Sequence, residues 1–332
     1  MKDVAERAGV SISTVSHVLN NTRPVAEMTR ARVLQIMRQL NYYKNASGRR
    51  LARGRSDAFG LIISDVENPF FPEMIKNFER AVVEIGFDVF LAPTNYDPMH
   101  ASNAVRRMIE NKVQGVAVMT SQLESTLIDQ LLTNDIPVVT LDGAKASRGR
   151  SNIRVDYSGG ASEAVAYLKK MGHERIAFIT GPQNRLSART YKQAFISALE
   201  ENGLPAALCT EGDNTIEGGR AAMLSLLKGP DIATAVICGN DLMALGAVHA
   251  LSEAEIRVPS QISIIGADDI SFARYANPPL TTVRVARDQL GKLAFEALNR
   301  LMRSKRRLGS EYVVETRLIV RGSSGAAASR PE

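Results

Sequence analysis

Val4-Ala5-Glu6-Arg7-Ala8-Gly9-Val10-Ser11-Ile12-Ser13-Thr14-Val15-Ser16-His17-Val18-Leu19-Asn20 reads as helix, tight turn, helix. Val4, Ala5 and Ala8 give the first helix one apolar stripe at helical spacing. Gly9 stands where that helix must stop, because glycine enters the left-handed cap conformation without steric cost. Ser11 is placed to cap the next helix by accepting from its free backbone N–H groups. Val15, Val18 and Leu19 form the buried stripe of the second helix, leaving Ile12, Ser13, Ser16 and His17 on its opposite face. A buried stripe on one side, with small and polar residues at the start of the other, suits a helix that enters the major groove of DNA. A third helix, roughly Glu27 to Leu40 with Val33, Leu34, Met37 and Leu40 as its core face, closes a three-helix headpiece.

The charge distribution agrees independently. Residues 1–56 hold 11 Lys+Arg against 3 Asp+Glu, whereas the remainder holds 30 against 32. A localised basic block on a near-neutral body is the electrostatic footprint of a nucleic-acid binder. Within that block, residues 41–56 carry two glycines, with Leu51 the one large aliphatic side chain. This stretch reads as a linker that forms one or two helical turns when something orders it, since short helices are marginal in water and Gly48 costs about 1 kcal/mol against alanine.

At 332 residues, 45% hydrophobic and 23% charged, the chain has room for about two domains and a small module. No apolar run has the length of a signal peptide or a membrane span, so a cytoplasmic location is expected. Cys209 and Cys238 lie in apolar stretches read as strand, and both are expected to be reduced, buried thiols. His100, His173 and His249 share no metal-ligand spacing, and His173, after Gly172, reads as a structural helix-end residue. No metal or cofactor is expected. The chain has no G-x-G-x-x-G, no G-x-x-x-x-G-K-[ST] and no G-x-S-x-G, which argues against a nucleotide-dependent or hydrolytic enzyme.

From Phe59 onward short apolar runs alternate with amphipathic helices. Strands are expected at Phe59–Ser64, Val89–Ala92, Gly115–Met119, Val138–Leu141, Ile176–Thr180, Ala235–Cys238 and Ile262–Gly266. Helices are expected at Pro72–Ile85, near Ala188–Asn202, at Ile216–Leu227 and at Leu242–Glu253. Continuous apolar strands alternating with helices imply parallel sheets covered on both faces, and the length implies two such lobes. Ligands of open parallel sheets bind beyond the carboxyl ends of the strands, so polar and aromatic residues just after each strand are the ones to weigh. The tail, residues 322–332, is rich in Gly, Ser and Ala, is expected to be disordered, and contains no leucine heptads.

This combination resembles the LacI/GalR family of bacterial transcriptional repressors over nearly the whole chain. The resemblance rests on Asp3-Val4-Ala5, Gly9-Val10-Ser11, Thr14-Val15-Ser16, Thr29-Arg30 and Leu40-Asn41-Tyr42 in the headpiece. In the body it rests on Asn68-Pro69-Phe70-Phe71, Gly172-His173, Gly181-Pro182, residues 240–246 and residues 278–283. The headpiece resembles purine-responsive members, whereas the ligand site is closer to sugar-responsive ones. The resemblance implies a helix-turn-helix headpiece at 1–43, a hinge at 44–56 and a two-lobed body of periplasmic-binding-protein type at 57–321. Lobe one would comprise about 57–156 and 286–316, and lobe two about 157–285 and 317–321, with crossings near Asp156, Val285 and Arg317. It further implies a homodimer on a pseudo-palindromic operator, gripped or released when a small molecule closes the lobes. The tail lacks a heptad seam, so a dimer is expected and not a tetramer.

Ile12, Ser13 and His17 match the positions that read bases in the family, and Ser11, Asn20, Arg23 and Tyr42 match phosphate contacts. Leu51 matches a leucine that wedges into the minor groove. The chain departs from the family in having Lys44 where proline is usual and Gly48 where alanine is usual, which makes the hinge helix more dependent on DNA for its order. Met1 stands where members carry a Thr-Ile-type pair, so the first helix lacks its usual cap: either the true start lies upstream or the headpiece is slightly less stable. For the effector, Phe70 and Phe71 match aromatic positions, and Ser187, Arg189, Asn240 and Asp268 match polar ones, with Asp142 and Asp156 as further candidates. Tyr191 replaces a common arginine, so a charge-assisted grip must come from Arg189 or Arg185. Aromatic faces with carboxylates and amides suit a carbohydrate, the rings covering C–H faces while Asp and Asn take hydroxyls. The alternative is a sugar-binding protein without a DNA-reading role.

Overall fold

The computed structural model describes residues 1–20, 22–42, 56–120, 123–229 and 233–328. Leu51 and the rest of the expected hinge up to Arg55 lie outside the described residues, as does the Asn20 side chain. The chain divides into two compact units, Met1–Ser56 and Asp57–Glu332.

In the first unit, α1 (Lys2–Ala8), α2 (Ile12–Asn20) and α3 (Glu27–Gln39) enclose one small core. Val4, Ala5, Ala8, Val15, Val18 and Val33 are its buried members, and Leu19, Leu34, Ile36, Met37 and Leu40 pack around them. Gly9 ends α1 in the left-handed conformation, at φ 60°, and α1 begins at Met1 without a side-chain cap.

In the second unit, eleven strands occur among the described residues. They are β1 (Ala58–Ile63), β2 (Asp88–Pro93), β3 (Val116–Met119), β4 (Val138–Leu141), β5 (Arg150–Asp156), β6 (Ile176–Thr180), β7 (Cys209–Glu211), β8 (Ala235–Cys238), β9 (Ser263–Asp268), β10 (Thr281–Val285) and β11 (Glu311–Ile319). Their order is β2-β1-β3-β4-β5-β11-β10-β9-β8-β6-β7. All pairings are parallel except β10 with β11. β11 serves both lobes: Glu311 to Glu315 pair with β5, and Thr316 to Ile319 pair with β10. The antiparallel step follows from chain direction, because β10 leads out of lobe two into a lobe-one helix and β11 leads back.

Each sheet is covered on both faces, so each lobe has two cores. In lobe one, α4 (Phe70–Glu84) and α11 (Arg287–Arg303) share a face. Phe71, Met74, Phe78 and Val82 meet Leu290, Ala294, Leu298 and Leu301, both sets at helical spacing. A Cβ at Gly291 would collide with the Met74 carbonyl, so only glycine allows this close approach. The other helices are α5 (Pro98–Glu110), α6 (Ser125–Thr133), α7 (Tyr157–Lys170), α8 (Leu186–Glu201), α9 (Ile216–Leu227) and α10 (Asp241–Glu253).

Three expectations are corrected. Cys209 is exposed, because β7 is a three-residue edge strand, whereas Cys238 is buried in β8. The helix expected to run to Ile85 ends at Glu84, and Ile85, its C-cap, is exposed. The tail from Gly322 to Ala328 is pinned to lobe two. Ser323 Oγ accepts from Thr281 N at 2.8 Å and donates to the Ile264 carbonyl at 2.7 Å. His173 Nε2 donates to the Gly325 carbonyl at 3.0 Å while Nδ1 faces the Thr234 hydroxyl at 2.9 Å. The Ala327 N–H donates to the Met171 carbonyl. The segment holds by hydrogen bonds to strand ends, not by apolar burial, and its composition therefore reads as disorder. Ser323→Ala would strand the buried Thr281 N–H and is expected to cost about 1–3 kcal/mol, measured by urea unfolding; unchanged stability would mean the tail does not brace the lobe.

Candidate nucleic-acid interface and effector cavity

On α2 the exposed surface begins with Ile12 and Ser13, and Ile12 is 49% exposed although it is a large aliphatic residue. Ser11 caps the helix, its Oγ accepting from Thr14 N at 3.1 Å and lying 2.7 Å from Ser13 Oγ. His17 is half-buried, and its Nδ1 lies 2.9 Å from the Thr22 hydroxyl. That contact orients the ring and leaves Nε2 for another partner. Arg23 is exposed just beyond α2, and Tyr42 packs against the headpiece core.

In the body, the carboxyl ends of the parallel strands from both lobes converge on one cavity of about 930 Å³, its open mouth included. Lobe one supplies Ser64 after β1, Phe70 and Phe71 at the start of α4, Tyr96 after β2, Thr120 after β3 and Asp142 after β4. Lobe two supplies Tyr157 on α7, Arg185, Ser187 and Tyr191 at the start of α8, Asn240 after β8 and Asp268 at the end of β9. Tyr96, Asp142 and Asp268 have φ of 58°, 48° and 100°, and so do their neighbours Asn95 at 49° and Asp269 at 53°. Such conformations are costly away from glycine and persist where surrounding structure enforces them, which is characteristic of ligand sites.

The aromatic wall is continuous in kind. Phe70 and Phe71 meet edge to face at 5.2 Å between centroids, and Tyr191 packs on Tyr157 at 5.2 Å and on Phe178 at 5.5 Å. Tyr191 is 3% exposed, yet among the described residues its hydroxyl has no hydrogen-bond partner. Arg185 lies over the Tyr96 ring, 3.7 Å from its centroid. Burial raises the Asp268 carboxyl to about 7, with Arg287 pulling the other way. Burial raises Asp142 to about 6, opposed by the Val155 N–H that it accepts at 2.8 Å and by Arg154. Burial, with the nearby carboxylates, also pushes the Tyr157 and Tyr191 hydroxyls up. A cavity with rings on its walls, two weakly acidic carboxyls and one arginine, Arg185, fits a hydroxyl-rich molecule.

The candidates from sequence divide as follows. Phe70, Phe71, Asp142, Ser187, Tyr191, Asn240 and Asp268 line the cavity. Asn240 is already committed, capping α10 through Met243 N at 2.8 Å and donating to the Asn214 carbonyl at 3.0 Å. Asp156 and Arg189 do not line the cavity. Asp156 caps α7, accepting from the Ser158 hydroxyl at 2.6 Å, and that bond, joined by the Ser158 N–H and Arg154, outweighs desolvation and lowers its carboxyl. Arg189 is exposed and donates to the Gln183 carbonyl at 2.8 Å. Of the two arginines considered, Arg185 is the one that reaches the cavity. Tyr96, Tyr157, Phe178 and Asn214 went unread; the position of Tyr96 just after β2 was the available signal.

Among the described residues no helix is long and apolar enough to cross a membrane. A model of "Bacterial regulatory proteins, lacI family" matches residues 1–45, and one of a periplasmic binding protein-like domain matches residues 165–324. The ribose operon repressor of Escherichia coli (strain K12) is 36% identical over 303 residues, spanning 90% of this chain and 91% of that protein. The HTH-type transcriptional repressor PurR of Haemophilus influenzae (strain PittEE) is 38% identical over 303 residues, spanning 90% and 89%. The structure of a lac repressor dimer bound to operator and the anti-inducer ONPF matches with a TM-score of 0.87 at 27% identity, covering 98% of each chain. With relatives of this identity over nine-tenths of its length, the chain belongs to the lacI family of bacterial regulatory proteins.

Proposed function

We propose that this protein is a repressor that binds a near-palindromic operator as a homodimer and changes its grip when a sugar enters the cavity between the lobes. It acts by binding and not by catalysis. The observation that carries the reading is the cavity itself: both lobes contribute its polar groups, so occupying it and closing the lobes are one event. The lac repressor match is a dimer on operator DNA with a small molecule, which supports the same assembly here. α4 with its C-cap and the edge strand β2 leave Val83, Ile85, Phe90 and Leu91 exposed, apolar surface suited to a second copy. At the headpiece, Ile12, Ser13 and His17 read base edges, while Ser11, Arg23 and Tyr42 contact phosphates.

Selection of binding sites from random duplex DNA tests this. Enrichment of a near-palindrome about two helical turns long is expected. His17→Ala is expected to relax the preference at one base step by about 1–3 kcal/mol, whereas Arg23→Ala weakens all sequences alike and lowers the salt slope by about one. No enrichment, with or without a metabolite extract, would leave a sugar-binding protein without a DNA-reading role.

A further inference from the structure

Two segments of lobe one, one between β4 and β5 and one between α11 and β11, carry a charge that the rest of the body lacks. Residues 143–150 and 303–311 hold seven Lys+Arg against one Asp+Glu, whereas the remainder of residues 57–332 holds 23 against 31. Like charges so concentrated repel one another, and a body that is otherwise slightly acidic gains no stability from them.

Backbone contacts lock the two segments together. Gly149 N donates to the Arg307 carbonyl at 2.7 Å, Gly309 N donates to the Ser147 carbonyl at 3.0 Å, and Arg148 and Leu308 form an antiparallel bridge. A Cβ at Gly309 would collide with the Arg150 carbonyl, so glycine lets the segments touch. Arg307 is committed to Asp135, and Arg150 donates to the Lys145 carbonyl at 3.0 Å. The Glu311 carboxylate accepts from Ala146 N and, at 2.9 Å, from Asn152 Nδ2. Lys145, Arg148, Arg303, Lys305 and Arg306 are exposed, and among the described residues none of them pairs with a carboxylate.

Strand register places this surface. Gly60, Val116, Val138 and Arg150 stand side by side across β1, β3, β4 and β5. Three strand spacings, about 14 Å, separate the first from the last. β1 begins at Ala58, where the chain enters the body after the headpiece and linker. The cations therefore lie along the amino edge of the lobe-one sheet, the edge to which the headpiece is tethered, and away from the cavity at the carboxyl ends.

The chemistry of the surface selects its partner. Neither segment contains an aromatic residue, and Leu308 is their one large aliphatic side chain, so the anchors of a protein interface are missing. Exposed lysines and arginines without such anchors suit a dense row of phosphates, and duplex DNA presents one about every 1.7 Å along its axis. We propose that this face of lobe one binds the phosphate backbone of duplex DNA flanking the operator, a second contact added to that of the headpiece. This rests on the reading of the headpiece as an operator binder. Phosphate contacts strengthen binding without reading bases, so the footprint lengthens while the preferred operator stays the same.

Titration of the full chain on two duplexes tests it, the selected operator alone and the same operator with about one and a half helical turns added at each end. At about 0.15 M salt the longer duplex is expected to bind about tenfold tighter, with a salt slope steeper by about two, as two or three more phosphates are neutralised. Arg148→Glu combined with Lys305→Glu and Arg306→Glu is expected to abolish both gains. The same variant should bind the short operator within about twofold, because charges more than about 8 Å apart are largely screened at that salt. Lys305→Ala with Arg306→Ala serves if the triple reversal fails to fold, and is expected to lower the slope by about one on the long duplex alone. Equal affinity and slope for the two duplexes, or a flank gain that survives both variants, overturns the DNA contact and leaves the headpiece reading standing; an acidic protein would then be what the face fits. A loss equal on both duplexes also overturns it, because the cations would then act on the headpiece's own contact. Binding to neither duplex by the unaltered protein overturns the operator reading, and this contact with it.

Discussion

Asp268→Ala is expected to remove effector binding while leaving operator binding by the ligand-free protein intact. Asp268 ends β9 at the carboxyl edge of the lobe-two sheet and opens into the cavity. The residue is half-buried at the cavity wall, and among the described residues its side chain makes no hydrogen bond, with Arg287 as the charge that favours its ionised form. Its acceptors are therefore free for ligand hydroxyls. Two hydrogen bonds to a charged group are worth about 3 kcal/mol or more together, over a hundredfold in Kd. Asp268→Asn keeps an acceptor but not the charge and is expected to lose about tenfold. Calorimetry with the sugar that binds the unaltered protein checks both, alongside operator titration without sugar. An alanine variant that binds within twofold would place the ligand elsewhere.

The same carboxyl sets a pH dependence. Its acid in the free protein is raised to about 7, and hydroxyl donors favour the ionised form. Binding therefore expels a proton below about 7, and affinity is expected to fall as pH drops through 7, steepening as Asp142 protonates near 6. The effect on stability has the opposite sign. A carboxyl with a raised acid binds its proton more tightly folded than unfolded, so this group's contribution to the ligand-free body falls as pH rises from about 4 to 7. Calorimetry in two buffers of different ionisation heat near pH 6.5 counts the released proton; none released, with Asp268→Asn retaining the same pH profile, contradicts the assignment.

The headpiece was legible because its signals are local. Gly9 must adopt positive φ, and Val4, Ala8, Val15 and Val18 recur at helical spacing, so sequence distance and contact coincide. The central strands were legible because burial on both faces makes them continuous apolar runs, as in β1, β3, β6 and β8. β5 and β11 were not, since Arg154, Glu311, Glu315 and Arg317 interrupt them at exposed or edge-facing positions. The start of α4 was placed two residues late. Pro72 was read as its first residue, but proline needs no N–H partner anywhere in the first turn, and the helix begins at Phe70. That shift puts both phenylalanines on the helix whose first turn borders the cavity. Asp156 and Arg189 were chosen by position alone, and local bonds to Ser158 and Gln183 claim them instead. Tyr96 depends on a left-handed turn that asparagine and tyrosine do not announce.

Arg287→Met is expected to act on stability and on the effector at once. Arg287 opens α11 and is 6% exposed. Its guanidinium reaches Glu73 Oε2 at 2.9 Å and the Pro69 carbonyl at 3.2 Å in lobe one, and the Asp269 carbonyl in lobe two. It thus ties the helix bearing Phe70 and Phe71 to the turn that follows Asp268. Methionine keeps most of the stem's packing, and Glu73 is partly solvated, so the ion pair itself counts for little. The orphaned carbonyls dominate, and the expected loss is about 2 kcal/mol, read from thermal or urea unfolding. Removing the guanidinium also removes the charge that holds the Asp268 carboxyl down. The midpoint of the pH dependence of effector binding should then move to higher pH, and affinity at pH 7 should fall several-fold. Arg287→Lys separates the two effects, because lysine retains the charge but cannot bond three acceptors with one planar fork. It is expected to restore the midpoint without restoring the stability. If Arg287→Met loses stability with the midpoint unmoved, the arginine braces the lobes and leaves the ligand carboxylate alone.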